Sequence, residues 1–413
     1  MKSSPIQPGN RKAEAGTFAS RLIILACTLG IVLLNTHYLG TAGQGTASLV
    51  NLGILLIVAL SNFIGGGALA YLIPRIGTRA TFIPSVLWAG VSTLLLYGIF
   101  MLYPIVPGEY ILYTCLLGLL QSLFIYFLQV LVANMQFTRY NIAVSIQSCT
   151  AFLSLLLFFL AAGWNDPMAF IASLGVSFAV TFCVSLVWVL PMVKNDPNVA
   201  PGNKKNFLDM FHYGKFVQGG NITHLLNQRL NFVLLENLAP SGRLLTGIFS
   251  LAMYAAEATW TIAKSLSLVQ YSRISNSGNP DEHHALVRRN VRIALLVAVF
   301  ASLVIAMVPE SLYQWIFGSN VDGLRWTLLL LIPAIVANSF SIIYAHYFSG
   351  IGLHRFNMLA SGTGLVLGLT VGLLLIPPMG LKGAAIASSI AFVAQAMALH
   401  LWYTKEKRKN QSR

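Results

Sequence analysis

Charge is scarce in this 413-residue chain: only 9% of residues are Asp, Glu, Lys or Arg, whereas 56% are hydrophobic. Soluble globular domains carry about one-quarter charged residues, so a water-facing surface of ordinary composition is excluded. Cysteine is confined to Cys27, Cys115, Cys149 and Cys183, all within apolar stretches and at no metal-ligand spacing. That excludes a disulfide framework and a zinc site, and no metal or cofactor is expected. No nucleotide-binding P-loop is present, so an ATP-driven pump would need a separate subunit. No small-residue cleavage site follows the first apolar run, which is therefore expected to remain as an anchor. The formal net charge of +14 is spread over short gaps and the tail and forms no basic patch, so nucleic acid is not an expected partner.

What the chain has in abundance is apolar runs of spanning length, about 20 residues for a bilayer core. They fall at about 18–40, 46–72, 80–103, 109–136, 140–163 and 167–191, then 207–238, 243–271, 290–308, 324–349, 356–376 and 381–403. The expected fold is an all-α polytopic membrane protein of about twelve transmembrane helices in two six-helix bundles. The lobes are 1–193 and 207–404, joined by a Pro- and Lys-containing linker at 194–206 and followed by a basic tail at 405–413. Alternate gaps hold nearly all the cations, from Arg75, Arg79 and Arg139 to Arg288, Arg289 and Arg292, while the other gaps hold Arg243, Arg325 and Lys382. The positive-inside rule then places both termini in the cytoplasm. Short internal matches support a repeat: Gly45-Thr46-Ala47-Ser48-Leu49 against Gly247-Ile248-Phe249-Ser250-Leu251, and Arg139-Tyr140-Asn141 against Arg355-Phe356-Asn357. An even number of spans between the halves makes the repeats parallel, related by a pseudo-twofold axis along the membrane normal.

Lys215, Arg229, Glu257 and Lys264 are charged residues placed within two adjacent spans, the seventh and the eighth. A charge at the bilayer centre costs about 2.5–3.5 kcal/mol on the lenient insertion scale, so none of them can face lipid tails. Glu257 and Lys264 share a helical face but stand roughly 10 Å apart along it. Arg229 and Glu257 lie at broadly similar depths on antiparallel neighbours and are expected to pair, either as a structural clamp or as part of a functional site. Lys215 and Lys264 either line a cavity or snorkel to the interface. Asn221, His224 and Gln228, with Gln129 and His346 elsewhere, are candidate polar lining residues. The two histidines read more readily as satisfied polar groups than as proton carriers, and Trp260 as a core residue rather than a sugar platform. The interior is expected to be polar and net cationic.

Several stretches resemble the polysaccharide and lipid-linked oligosaccharide flippase branch (O-antigen translocase-like) of the multidrug/oligosaccharidyl-lipid/polysaccharide (MOP) exporter superfamily. They are Tyr38-Leu39-Gly40, the 247–251 run, Ala256-Glu257-Ala258-Thr259-Trp260, Gly350-Ile351-Gly352 and, most clearly, Ile376-Pro377-Pro378-Met379-Gly380-Leu381-Lys382-Gly383-Ala384-Ala385. The resemblance implies a MATE-like fold, alternating access, no enzymatic activity, and residence in a bacterial cytoplasmic (inner) membrane. It implies export of a polyprenyl-pyrophosphate oligosaccharide for surface polysaccharide assembly, with a polymerase and glycosyltransferases of the same pathway as partners. In such a protein Arg229, Lys215 and Lys264 would supply the cationic lumen and Glu257 a charge partner or proton site. An inside-negative potential favours outward movement of an anion by about 2.3 kcal/mol per charge per 100 mV. The alternative is a cation-coupled multidrug antiporter of the same fold, which would want acidic residues in its cavity. A membrane glycosyltransferase or polymerase is less consistent with outer loops this short.

Overall fold

The computed structural model describes residues 11–66, 68–194, 196, 204–276, 279–318 and 321–411. Most of the expected linker, together with Gly67 of the glycine run at 65–67, therefore lies outside the described residues. Thirteen α-helices follow in order: α1 (Arg11–Gly65), α2 (Ala68–Ile76), α3 (Thr78–Leu102), α4 (Ile111–Ala133), α5 (Phe137–Leu160), α6 (Pro167–Lys194), α7 (Lys204–Leu238), α8 (Gly242–Asn276), α9 (Pro280–Met307), α10 (Glu310–Phe317), α11 (Leu324–Gly350), α12 (His354–Met379) and α13 (Leu381–Gln411).

Among the described residues, nine helices are long and apolar enough to cross a membrane. The first, Ser20–Gly65, is 46 residues long, about twice what one crossing needs. It breaks at Gly40, whose φ of 68° lies in the left-handed region that glycine tolerates best. Splitting α1 there and adding the less apolar α7 and α8 yields twelve long segments. The turn expected near residues 40–46 is thus one non-helical residue.

Two sequence expectations need revision. The helix expected from residue 290 begins earlier, at Pro280, because Asn279 caps it by accepting from the Asp281 N–H at 3.1 Å and proline fits the first turn. Arg288, Arg289 and Arg292 are therefore on a helix. The short α10 was also unforeseen, since eight residues carry too little periodicity to register.

The chain forms two compact units, one of residues 1–38 with 53–215 and the other of residues 39–52 with 216–413. The core of the first gathers Ile64, Leu72, Phe124, Phe127, Leu131 and Val189. Two polar rings there are hydrogen-bonded to backbone: Tyr126 donates to the Thr78 carbonyl at 3.1 Å and Trp88 to the Leu60 carbonyl at 3.0 Å. The Asp196 carboxylate accepts from the Thr78 and Arg79 N–H groups, neutralising the orphan donors at the α3 N-terminus.

In the second unit α11 is the central post, with α8, α9 and α13 packed on it and α12 against α13. Helix α7 is tied in by amides: Asn227 donates to Gln395 at 2.8 Å, and Asn231 donates to Ser388 at 2.7 Å and to the Ala384 carbonyl at 3.2 Å. The start of the second half of α1 crosses α8 where the repeat matches. A Cβ on Gly45 would lie 2.1 Å from the Arg243 carbonyl oxygen, and one on Gly247 would lie 1.8 Å from that of Thr41. The crossing is reciprocal, residue for residue, as at an isologous contact. Only glycine allows backbones this close.

Candidate functional site

The α7–α8 hairpin sets the register of the intramembrane charges. It turns at Ser241, whose φ is 57°, and the Thr246 hydroxyl donates to the Phe232 carbonyl at 3.1 Å. That register leaves Arg229 and Glu257 offset by roughly 12 Å along the axes at 1.5 Å per residue. Helical side chains lean toward their own N-terminus. On antiparallel neighbours this carries Arg229 away from the hairpin and Glu257 toward it, and the two meet: Arg229 Nη2 lies 2.6 Å from Glu257 Oε1.

The arginine is held by more than its carboxylate. Its guanidinium sits over the Phe232 ring at 5.1 Å and the Tyr254 ring at 5.3 Å, so two aromatic faces add to the ion pair. Its side chain is only 8% exposed, whereas that of Glu257 is 22% exposed. Arg229 Nη1 is buried with no hydrogen-bond partner among the described residues. The centre is therefore a neutralised pair with a spare, poorly solvated N–H face, which suits an anionic oxygen.

A second polar group lies in the same unit. Asn221, His224 and His346 line a cavity of about 170 Å³ together with His354, Asn357 and Gln395. Gln228 joins it through a 3.1 Å contact between its Nε2 and His224 Nε2, and His346 Nδ1 lies 2.9 Å from the Ile342 carbonyl oxygen. Of the remaining predicted residues, Lys264 is exposed on α8. Lys215 and Gln129 are half-buried and belong to the first unit. Trp260 is fully buried and donates its indole N–H to the Ile335 carbonyl at 3.1 Å, which places it in the core.

Sequence reasoning missed His354, Asn357 and Gln395 as lining residues. The available signal was a lone amide inside an apolar helix, as Gln395 is in α13. It also missed the second ion pair, Arg243 Nη2 to Glu236 Oε1 at 2.7 Å, which brackets the hairpin turn.

No known family profile matches the sequence. A curated relative, the probable low-salt glycan biosynthesis flippase Agl15 of Haloferax volcanii, is 19% identical over 60% of this chain and 51% of its own length. The chain thus spans about half the length of that relative. Among solved structures, a multidrug resistance MATE family transporter of the MOP superfamily in an inward-facing conformation superposes with a TM-score of 0.69 at 15% identity, covering 95% of this chain and 96% of its own. A MOP superfamily transporter from Pyrococcus furiosus, described as having a binding pocket of reversed polarity, matches with a TM-score of 0.62 at 14% identity, over 96% of each chain. The protein is a multi-pass membrane protein with the fold of the MATE transporters of the MOP superfamily.

Proposed function

We propose that the protein is a flippase that moves a lipid-linked oligosaccharide, carried on a polyprenyl pyrophosphate, from the inner to the outer leaflet of a cytoplasmic membrane. The observation that carries this reading is the Arg229–Glu257 centre, where a buried guanidinium keeps an unpartnered N–H face beside a neutralising carboxylate. Such a group attracts the phosphates. The amide and imidazole side chains around Asn221, His224 and His346 offer hydrogen bonds to sugar hydroxyls. The glycan flippase relative supports the same substrate class. In this reading Lys215 and Lys264 add to the attraction. The lobes expected from the sequence, 1–193 and 207–404, are the bodies that alternate, both termini are cytoplasmic, and no catalytic step is involved.

A multidrug antiporter of the same fold is the second reading, favoured by the MATE neighbours. It asks for a free carboxylate to hold a cation, and Glu257 is taken up by Arg229.

The deciding measurement is the sidedness of lipid-linked oligosaccharide in cells with and without the protein, read with a glycan-modifying probe confined to the outer face. Inner-leaflet accumulation without the protein, reversed on restoring it, is the expected result. Unchanged sidedness, together with efflux of organic cations, would establish the antiporter instead.

A further inference from the structure

Helices α9 and α13 both pack on α11 but meet each other far less, which leaves a furrow between them. At the polar end of this furrow, where α9 begins and α13 approaches its end, a cavity of about 460 Å³ is lined by Arg288, Arg289, Arg292 and Lys407. Asp281 is the carboxylate on its rim. His284 also lines the cavity although only 5% of it is exposed. Its Nδ1 lies 3.0 Å from the Tyr403 hydroxyl, while its Nε2 is buried without a hydrogen-bond partner among the described residues. A buried, half-satisfied imidazole beneath three guanidinium groups needs an explanation in terms of something that fills the space above it.

Toward the bilayer the lining changes character. The next cavity along the furrow, about 430 Å³, is walled by Val291 and Leu295 of α9 and Met397 and Leu401 of α13, and floored by Phe340 and Tyr344 of α11, with His400 as its one imidazole, its Nδ1 3.0 Å from the Tyr344 hydroxyl. Met397 continues into a third apolar hollow with Ile390 and Val393. On α9 residues 288, 291, 292 and 295 are related by steps of three and four and share one helical face, and on α13 Met397 and Leu401 are one turn apart, with Lys407 further toward the end of the helix. The furrow is thus cationic at the headgroup level and apolar below it.

We propose that this furrow holds an anionic diacyl phospholipid of the surrounding membrane, its phosphodiester against Arg288, Arg292, Lys407 and His284 and one acyl chain along Leu295 and Met397. Guanidinium forks match phosphate oxygens, and basic pockets between helices at the membrane surface are suited to anionic headgroups. A soluble phosphate would leave the apolar continuation without a function. The transported lipid is not the occupant, because the furrow shares no lining residue with the Arg229–Glu257 centre or with the cavity at His224, and the same α9 exposes Leu296, Phe300 and Leu303 on its apolar face.

The test is native mass spectrometry of the full-length purified protein titrated with phosphatidylglycerol, phosphatidylcholine, a polyprenyl monophosphate and inorganic pyrophosphate. Phosphatidylglycerol should be retained in preference to phosphatidylcholine. R288Q/R292Q should weaken its binding roughly 30-fold, from the usual contribution of two basic residues near a membrane surface. K405Q/R408Q, which removes exposed tail cations outside the cavity, should leave it within about twofold. Met397→Trp fills the apolar hollow from an exposed position and should weaken phosphatidylglycerol binding with every cation in place. Equal retention of the two phospholipids, equal loss from both charge pairs, or no effect of M397W would each overturn the proposal. Displacement of phosphatidylglycerol by the polyprenyl monophosphate or by pyrophosphate at lower concentration would overturn the occupant assigned.

Discussion

Removing one partner of the Arg229–Glu257 pair strands the other, and the asymmetry of their burial makes the outcome quantitative. Breaking a buried ion pair from one side costs about 3–5 kcal/mol, because the remaining charge has neither partner nor water. Glu257→Gln leaves the guanidinium at 8% side-chain exposure with only Phe232 and Tyr254 against it, so a loss of about 3 kcal/mol is expected. Arg229→Gln leaves a carboxylate that at 22% exposure still reaches solvent, and about 2 kcal/mol is expected, below the usual range. R229Q/E257Q replaces two charges by two amides and should cost about 2 kcal/mol rather than the sum of about 5, an interaction energy of about 3 kcal/mol. Unfolding in mixed detergent micelles, followed by circular dichroism for the four proteins, measures all three terms. Additivity within about 0.5 kcal/mol would refute the reasoning. The same double variant separates the two roles of the pair: folded protein with lost transport identifies a functional centre, and retained transport identifies a clamp.

Four further outcomes follow from the packing. Gly247→Ala places a methyl 1.8 Å from the Thr41 carbonyl oxygen, and backbone cannot rotate away, so a loss of at least about 1–3 kcal/mol is expected. Gly90→Ala meets nothing within 4 Å and should stabilise by roughly 0.5–1 kcal/mol, the opposite sign in the same unfolding assay. Trp260→Phe removes the N–H to the Ile335 carbonyl but keeps most of the ring, for about 1 kcal/mol, whereas Trp260→Ala should cost about 3–5 kcal/mol; export per folded molecule should survive Trp260→Phe, and its loss would return this residue to the substrate path. Cys27 Sγ lies 3.9 Å from Cys149 Sγ, so mild oxidation of the purified protein should yield peptides linked between these two cysteines, and their absence would contradict the packing of α1 on α5.

Much of this protein was readable before any fold was known, for a simple physical reason: the bilayer imposes a length and a polarity on every crossing. Twelve apolar runs, the alternation of cations between gaps and the charges placed within the seventh and eighth spans are all local properties of the chain. The pairing of Arg229 with Glu257 was legible too, because a short turn makes α7 and α8 antiparallel neighbours with these two residues at broadly similar depths, and side-chain lean closes the remaining offset. The repeat match at Gly45 and Gly247 could be seen as similarity alone. That these two glycines face each other, each beneath the other's backbone, is a relation between segments about 200 residues apart that no local pattern encodes.

Tertiary structure alone decided which polar residues share a site. Asn221, His224 and Gln228 could be listed as lining candidates from the sequence, but that Asn221 and His224 face a cavity completed by α11, α12 and α13 with His346, Asn357 and Gln395, while Asn231 of the same helix is spent on α13, is a matter of packing. It also made the furrow between α9 and α13, since its two walls are separated in sequence by α10, α11 and α12, and its basic end sits on a helix that extends into a gap between the apolar runs. Sequence by itself determined what each helix is made of and how far it reaches through the membrane. Which faces meet depends on packing partners distant in the chain, and those the fold had to supply.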